Sequence, residues 1–377
     1  MTIIFSGTIG QSGLGGQAWA SLQYLIGLRE LGHDVVYLED SGEEAMSYNW
    51  EKEEWVDDIQ YPSGYVHRCL EPFGFGKNWH YKGGDQHAGM SPEDFTARCA
   101  KADLMIIRAI PLWVWRKEYS LPRRRIFIDV DPGFTQINIA SGDKGLAEGI
   151  SRCERFFTYG QNIGAPDSTI PTNGWKWIKT LPPVAISQWP VTGGAATHFT
   201  SILRWDHGFQ NSEYKGAKYG QKDLEFPKFF SLPKRTNQKF RVAINGPLLP
   251  PEHGWESVSG EIVTQTPWSY REFIQQSRAE FGVAKHGYVQ MRSGWFSDRS
   301  ICYLASGKPV LVQDTGVAAH IPLGDGMLTF HDLDGAIVGV EKINSDYQRH
   351  CRAARQLAEN YFATGKVLPA LLAAALD

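Results

Sequence analysis

The first stretch of chain, Met1 to Glu39, restricts the fold more than any other feature. Thr2 to Ser6 is a short β-branched and apolar run. The glycine-rich loop Gly7 to Gly16 follows it. From Gln17 to Leu31, the apolar residues Leu22, Leu25, Ile26 and Leu28 recur at helical spacing, and Gly32 stops the run. Asp34 to Glu39 reads as a second strand. Strand, loop, helix and strand in this order make a βαβ unit of a parallel sheet, which places the chain in the α/β class.

The same grammar continues. Ser91-Pro92 starts a helix, with Ser91 as N-cap. Strands are expected at Asp103 to Ile107, Arg125 to Val130 and, last in this half, Phe156 to Gly160. Ser47 to Met90 reads as an insertion of loops and short helices. Three prolines between Thr180 and Pro190 mark a junction. Beyond it come strands at Thr197 to Arg204, Lys239 to Ile244 (ending at Asn245-Gly246), Phe281 to Ala284 and Pro309 to Gln313, then two closing helices. A chain of 377 residues holds two domains at about 100–200 residues each. The expected division is 1–190 and 191–377.

Composition narrows the function. The net charge is −3, which argues against a nucleic-acid partner. The start lacks a basic, apolar leader, and no run of about 18 apolar residues exists, so no integral membrane segment is expected. The five cysteines show no Cys-x-x-Cys pair and read as reduced thiols of a cytoplasmic protein. The 13 tryptophans, many in loop contexts such as Trp50, Trp55 and Trp113, suit either packing or an aromatic-lined cleft.

Two constellations carry chemistry. Gly13, Gly15 and Gly16, with Glu39 at the end of the next strand, match the outline of a dinucleotide fingerprint. Seven residues separate Phe5 from Gly13, too many for that fingerprint. A phosphate- or sugar-facing loop fits better, because it brings backbone N–H groups and a helix N-terminus to an anion. The second constellation runs from Arg292 through Ser293, Gly294, Trp295 and Phe296 to Ser297, Asp298 and Arg299. Ser297 caps a helix and Asp298 suits its positive end. Arg299, Arg292 and Lys285 offer charge-assisted bonds to a diphosphate. After the strand Pro309 to Gln313, the turn Asp314-Thr315-Gly316 offers polar groups to a sugar.

These residues resemble a known family. Cys302-Tyr303-Leu304-Ala305-Ser306-Gly307-Lys308-Pro309-Val310-Leu311-Val312 is similar to the helix–Gly-x-Pro-Val–strand unit of GT-B glycosyltransferases. Gly324 to Phe330 resembles their G-x-G-x-L turn, and His331-Asp332-Leu333 through Arg355 to Phe362 their closing helices. Gly13 to Gly16, with Gly27 to His33, resembles their opening βαβ unit. The likeness is to family 4, or group 1, enzymes and is weak across Ser47 to Trp205.

That resemblance implies two Rossmann-like domains facing across a cleft, with C-terminal helices crossing back. It implies transfer of a sugar from a nucleoside-diphosphate sugar, with UDP among the candidate nucleotides, to a small-molecule or glycan acceptor hydroxyl. No divalent metal or other cofactor is expected. Gly13, Gly15, Gly16, Asn245, Gly246, Lys285, Ser297, Asp298, Arg299, Asp314, Thr315 and Gly316 are the expected donor-binding positions. Family 4 enzymes often carry two glutamates separated by seven residues, and the matching positions here are Gly294 and Cys302. Asp129 and Asp131, at a first-domain strand end, are the expected catalytic carboxylates. Rival readings are a nucleotide-sugar epimerase, an NAD-dependent dehydrogenase built on Gly13, Gly15 and Glu39, and a non-catalytic nucleotide-sugar-binding protein.

Overall fold

The computed structural model describes residues 1–45, 47–49, 52, 54–193, 196–205 and 211–377. Trp50 lies outside the described residues. Among the described residues the first half contributes ten strands: β1 (Thr2–Ser6), β2 (Asp34–Asp40), β3 (Ser47–Asn49), β4 (Glu54–Val56), β5 (Trp79–Gly83), β6 (Gln86–Gly89), β7 (Leu104–Arg108), β8 (Arg125–Asp129), β9 (Arg155–Thr158) and β10 (Trp177–Lys179). The second half contributes β11 (His198–Arg204), β12 (Ser212–Tyr214), β13 (Ala217–Tyr219), β14 (Lys239–Asn245), β15 (Glu256–Ser259), β16 (Ala279–Gly282), β17 (Val310–Gln313) and β18 (Met327–Phe330).

Two sheets hold most of these strands. The first has the order β10-β9-β8-β7-β1-β2-β5-β6, parallel except for the β5–β6 hairpin at its edge. The second is wholly parallel, in the order β15-β14-β11-β16-β17-β18. In each sheet the first strand of that half lies inside, and the direction of winding reverses beside it. Those reversals fall between β1 and β7 and between β11 and β16. In open α/β sheets a crevice forms at such a point, outside the carboxyl ends of the strands.

Five helices position the site. α1 (Ile9–Ser12) and α2 (Gly15–Glu30) follow β1. α3 (Pro267–Gln275), α4 (Asp298–Ala305) and α5 (Thr364–Leu376) belong to the C-terminal half of the chain. α2 is buried on almost every side, because it separates the first sheet from the second half. Gly15 and Gly16 make that approach possible. A Cβ on Gly15 would lie 2.1 Å from the Thr266 carbonyl oxygen, and one on Gly16 would lie 3.1 Å from the Tyr270 ring. Trp19 Nε1 donates to the Pro267 carbonyl at 2.6 Å. α5 crosses back to the first half, where a Cβ on Gly27 would meet Thr364 Cγ2 at 2.4 Å. Just before α5, the Val184 N–H donates to the Phe362 carbonyl at 2.7 Å, and the Thr364 N–H to the Val184 carbonyl at 3.0 Å. The two crossings between the halves are thereby pinned together.

Several local expectations change. Trp79–Gly83 and Gln86–Gly89, read as insertion, extend the first sheet, and β10 adds a strand beyond β9. A helix at Leu333–Ser345 precedes the two expected closing helices. Most tryptophans pack: Trp19 and Trp189 are buried against each other at 4.9 Å between ring centroids. Trp55 and Trp113 are exposed. Among the described residues, no helix is long and apolar enough to cross a membrane.

Candidate functional site

β16 ends at Gly282 and β17 at Gln313, and α4 starts between them. Ser297 is the N-cap of α4; its Oγ accepts from the Arg299 N–H at 3.1 Å. The strand ends and this first helical turn enclose a cavity lined by Gly282, Trp295, Ser297, Arg299, Ser300 and Thr315, among others. Ser300 Oγ is buried and has no partner among the described residues. A helix start of this kind offers N–H groups and a positive dipole end to an anion.

The charges around it are buried. Arg299 Nε bonds to Glu280 at 2.6 Å, and its Nη1 donates to the Ile202 carbonyl at 2.7 Å. Glu280 is fully buried, and its Oε2 has no partner among the described residues. Lys222 is buried beside this pair. Burial above all, and then the Arg299 charge, pushes its ammonium well below the usual lysine range, with Lys285 acting in the same direction. Arg299 pairs with Glu280, Lys285 with Asp131, and Arg108 with Asp298. Among the described residues no carboxylate pairs with Lys222, and burial disfavours the charge on its ammonium. Such a charge is costly unless an anion joins it.

The halves meet beside this cavity. Lys285 Nζ reaches Asp131 at 2.9 Å, and the Tyr288 hydroxyl also donates to Asp131. Arg108, the last residue of β7, donates from Nη2 to Asp298 Oδ2 at 3.1 Å. Asn162 Nδ2 donates to the Arg292 carbonyl at 2.7 Å, and the Asn162 N–H donates to the Ser293 carbonyl at 3.2 Å. Gly294 and Gly316 have positive φ, and both face Asn162 closely. A Cβ on Gly294 would lie 2.9 Å from the Asn162 nitrogen, and one on Gly316 would lie 2.6 Å from Asn162 Nδ2. The segment Gly294 to Gly316 is therefore both cavity wall and docking surface.

This geometry revises several expected roles. Asp298 turns its carboxylate toward Arg108 of the first half, where it would repel a diphosphate rather than bind it. Lys285 is committed to Asp131. Asp314 accepts from the Gly316 N–H at 3.0 Å, and Thr315 Oγ1 donates to the Trp295 carbonyl at 2.6 Å, so both shape their own turn. Asn245 and Gly246 pack around Trp205 and Gly260 and do not line the cavity. Gly13 terminates α1 at φ 59, and Gly15 and Gly16 serve the contact between halves.

Asp129 is fully buried. Oδ1 accepts from Thr135 Oγ1 at 2.7 Å, and Oδ2 accepts from Gln136 Nε2 at 2.9 Å and Thr158 Oγ1 at 2.8 Å. Burial raises its pKa, and these donors oppose the rise. It ties β8, β9 and the following helix together and is closed to a substrate hydroxyl. Glu39 is also buried. It accepts from the Gly10 N–H at 2.9 Å, the Gln11 N–H at 2.5 Å and the Tyr37 hydroxyl at 2.6 Å. Its carboxylate occupies the N-terminus of α1, which removes the ribose contact required by the dehydrogenase reading. Burial raises its pKa to about 7.

Sequence reasoning missed Lys222, Glu280 and Arg108. Two of them left a signal: Glu280 interrupts the apolar run Ala279 to Val283, and Arg108 ends the apolar run Leu104 to Ile107. Lys222 left none, because it sits in an irregular connection. Among the described residues, no group of three or more His, Cys, Asp or Glu side chains is placed to hold a metal ion.

No protein-family model and no curated protein matches the sequence. Solved structures do match. An alpha-glucosyltransferase in complex with UDP and a 13-mer DNA containing a HMU base superposes with a TM-score of 0.63 and 11% identity, covering 100% of both chains. The sucrose-phosphate synthase of Thermosynechococcus elongatus gives 0.53 and 12%, over 99% of this chain and 100% of that one. OtsA without ligand gives 0.56 and 9%, over 100% and 99%. The net charge of −3 does not exclude a nucleic-acid partner, contrary to expectation. A protein of this fold over its whole length is found in complex with DNA, and a local groove can bind nucleic acid whatever the net charge of the chain. The fold is that of the GT-B glycosyltransferases, in strongly diverged sequence.

Proposed function

We propose that the protein transfers a sugar from a nucleoside-diphosphate sugar to an acceptor hydroxyl. The observation that carries this reading is the set of buried groups at the start of α4. Arg299 pairs with the buried Glu280, the Lys222 amine is buried near them with its charge disfavoured, and a helix N-terminus and the unpartnered Ser300 hydroxyl adjoin them. A diphosphate supplies negative charge that favours the Lys222 ammonium and meets the helix N–H groups. In the transfer, the bond between the anomeric carbon and the diphosphate oxygen breaks, and charge grows on the leaving oxygen. Fixed cations and N–H groups in a water-poor cavity stabilise that charge without a divalent metal. The solved structures of this fold with UDP or UDP-glucose support the donor class.

The acceptor belongs at the carboxyl ends of the first sheet, opposite the donor cavity. The similarity to an alpha-glucosyltransferase in complex with DNA supports including nucleic-acid hydroxyls beside free sugars as acceptors. The test is turnover. UDP-, GDP- and ADP-sugars are incubated with free sugars and with duplexes carrying HMU bases, and nucleoside diphosphate and glycosylated product are both quantified. Equal yields of product and diphosphate support transfer. A changed sugar still attached to nucleotide supports an epimerase, and no turnover of any donor sinks the reading.

A further inference from the structure

Arg108 ends β7, at the reversal point of the first sheet, and only 2% of it is exposed. A buried guanidinium needs its donors satisfied. Here Nη2 bonds to Asp298, while Nε and Nη1 have no partner among the described residues. Two tyrosine hydroxyls, those of Tyr24 and Tyr159, meet at 2.9 Å, and Tyr159 is a further partner of the Arg108 side chain. Asp298 is more than a third exposed, although its guanidinium partner is buried. It is the first residue of α4, whose next turn residues line the donor cavity. The acceptor half thus points an incompletely satisfied cation at the helix start that offers N–H groups to an anion.

We infer that Arg108 is the acceptor half's ligand for the donor diphosphate, and that Asp298 is an internal anion holding it until substrate arrives. The inference rests on the proposed donor class. When the diphosphate enters, the Arg108–Asp298 pair opens, the guanidinium turns to phosphate oxygens, and Asp298 turns to solvent. No bond is made or broken in this exchange. It links donor binding to the contact between halves, because Asp298 belongs to one and Arg108 to the other.

The two members of the pair have opposite expected effects. A structural ion pair loses stability, and any binding that depends on it, when either partner is neutralised. A resting lock behaves differently: Asp298→Asn removes both the competitor for Arg108 and a repulsive charge near the phosphates. The experiment is calorimetric titration of UDP, GDP and ADP, with the matching nucleosides as controls, into wild type, Asp298→Asn and Arg108→Gln, with melting temperature recorded for each. The expected result is diphosphate binding at least 5-fold tighter in Asp298→Asn despite a lower melting temperature. Arg108→Gln binds diphosphate at least 10-fold more weakly, with nucleoside affinity unchanged. Weaker or unchanged diphosphate binding in Asp298→Asn overturns the inference and leaves the donor site intact. That variant decides the matter even if Arg108→Gln fails to fold. If wild type binds none of the diphosphates, both the inference and the proposed donor class fall.

Discussion

The two halves use the same local device, a helix start behind a glycine-bearing turn, and fill it differently. In the first half, Glu39 lies on the N–H groups of Gly10 and Gln11, so the chain supplies its own anion to α1. In the second half, α4 carries Arg299, paired with Glu280, and the buried Lys222 lies near that pair. Glycine spacing alone does not separate an occupied helix start from an available one. The sign of the buried charge beside it does, and that charge comes from residues distant in sequence.

The largest expected effect breaks the second site outright. Arg299→Ala strands Glu280 as an unpaired buried carboxylate, which costs about 3–5 kcal/mol. Urea unfolding checks it, and Glu280→Gln in the same background should restore much of the loss. Next, the pH response of the first site follows from Glu39. Its folded pKa, about 7, lies above the ordinary 4.5. A raised carboxylate pKa means that the unfolded chain ionises first. The stabilising contribution is full below pH 4.5, falls as pH rises toward 7 and is flat above it. The total change is on the order of 3 kcal/mol. Denaturation from pH 4.5 to 8 should show this slope, and it should flatten in Glu39→Gln.

Two smaller effects sharpen the contrast. Gly15→Ala places a methyl against the Thr266 carbonyl and should cost about 1–3 kcal/mol by forcing the halves apart, while Gly13→Ala should disturb only the end of α1. Asp129→Asn separates scaffold from chemistry. A general base lost from the site lowers turnover by about 100- to 10,000-fold. Asp129 is a buried tie, so the folded fraction should keep turnover within a few-fold of wild type while the melting temperature falls.

The sequence made the fold legible because α/β periodicity is local. The βαβ opening, the cap at Ser297 and the strand Val310–Gln313 follow from neighbouring residues alone. The β5–β6 hairpin was unreadable, because Tyr81 and His80 pair with β2 across a long insertion of mixed composition. The site was legible only in part. Ser297 and Arg299 stand where a capped helix and a basic side chain predict. Asp298, Lys285 and Gly294 look the same in sequence whether they face a ligand or the other half of the chain. Their partners, Arg108, Asp131 and Asn162, lie more than a hundred residues away. Lys222 gains its meaning from being buried beside Arg299, which no linear spacing records.

The most direct measurement is calorimetric titration of UDP, GDP and ADP into wild type and Lys222→Gln. The account predicts that wild type binds at least one diphosphate more tightly than about 1 mM, or −4.1 kcal/mol. It predicts that Lys222→Gln loses at least 10-fold of that affinity, keeps its affinity for the nucleoside, and folds at least as stably once the buried amine is gone. Equal diphosphate affinity in wild type and Lys222→Gln would contradict it.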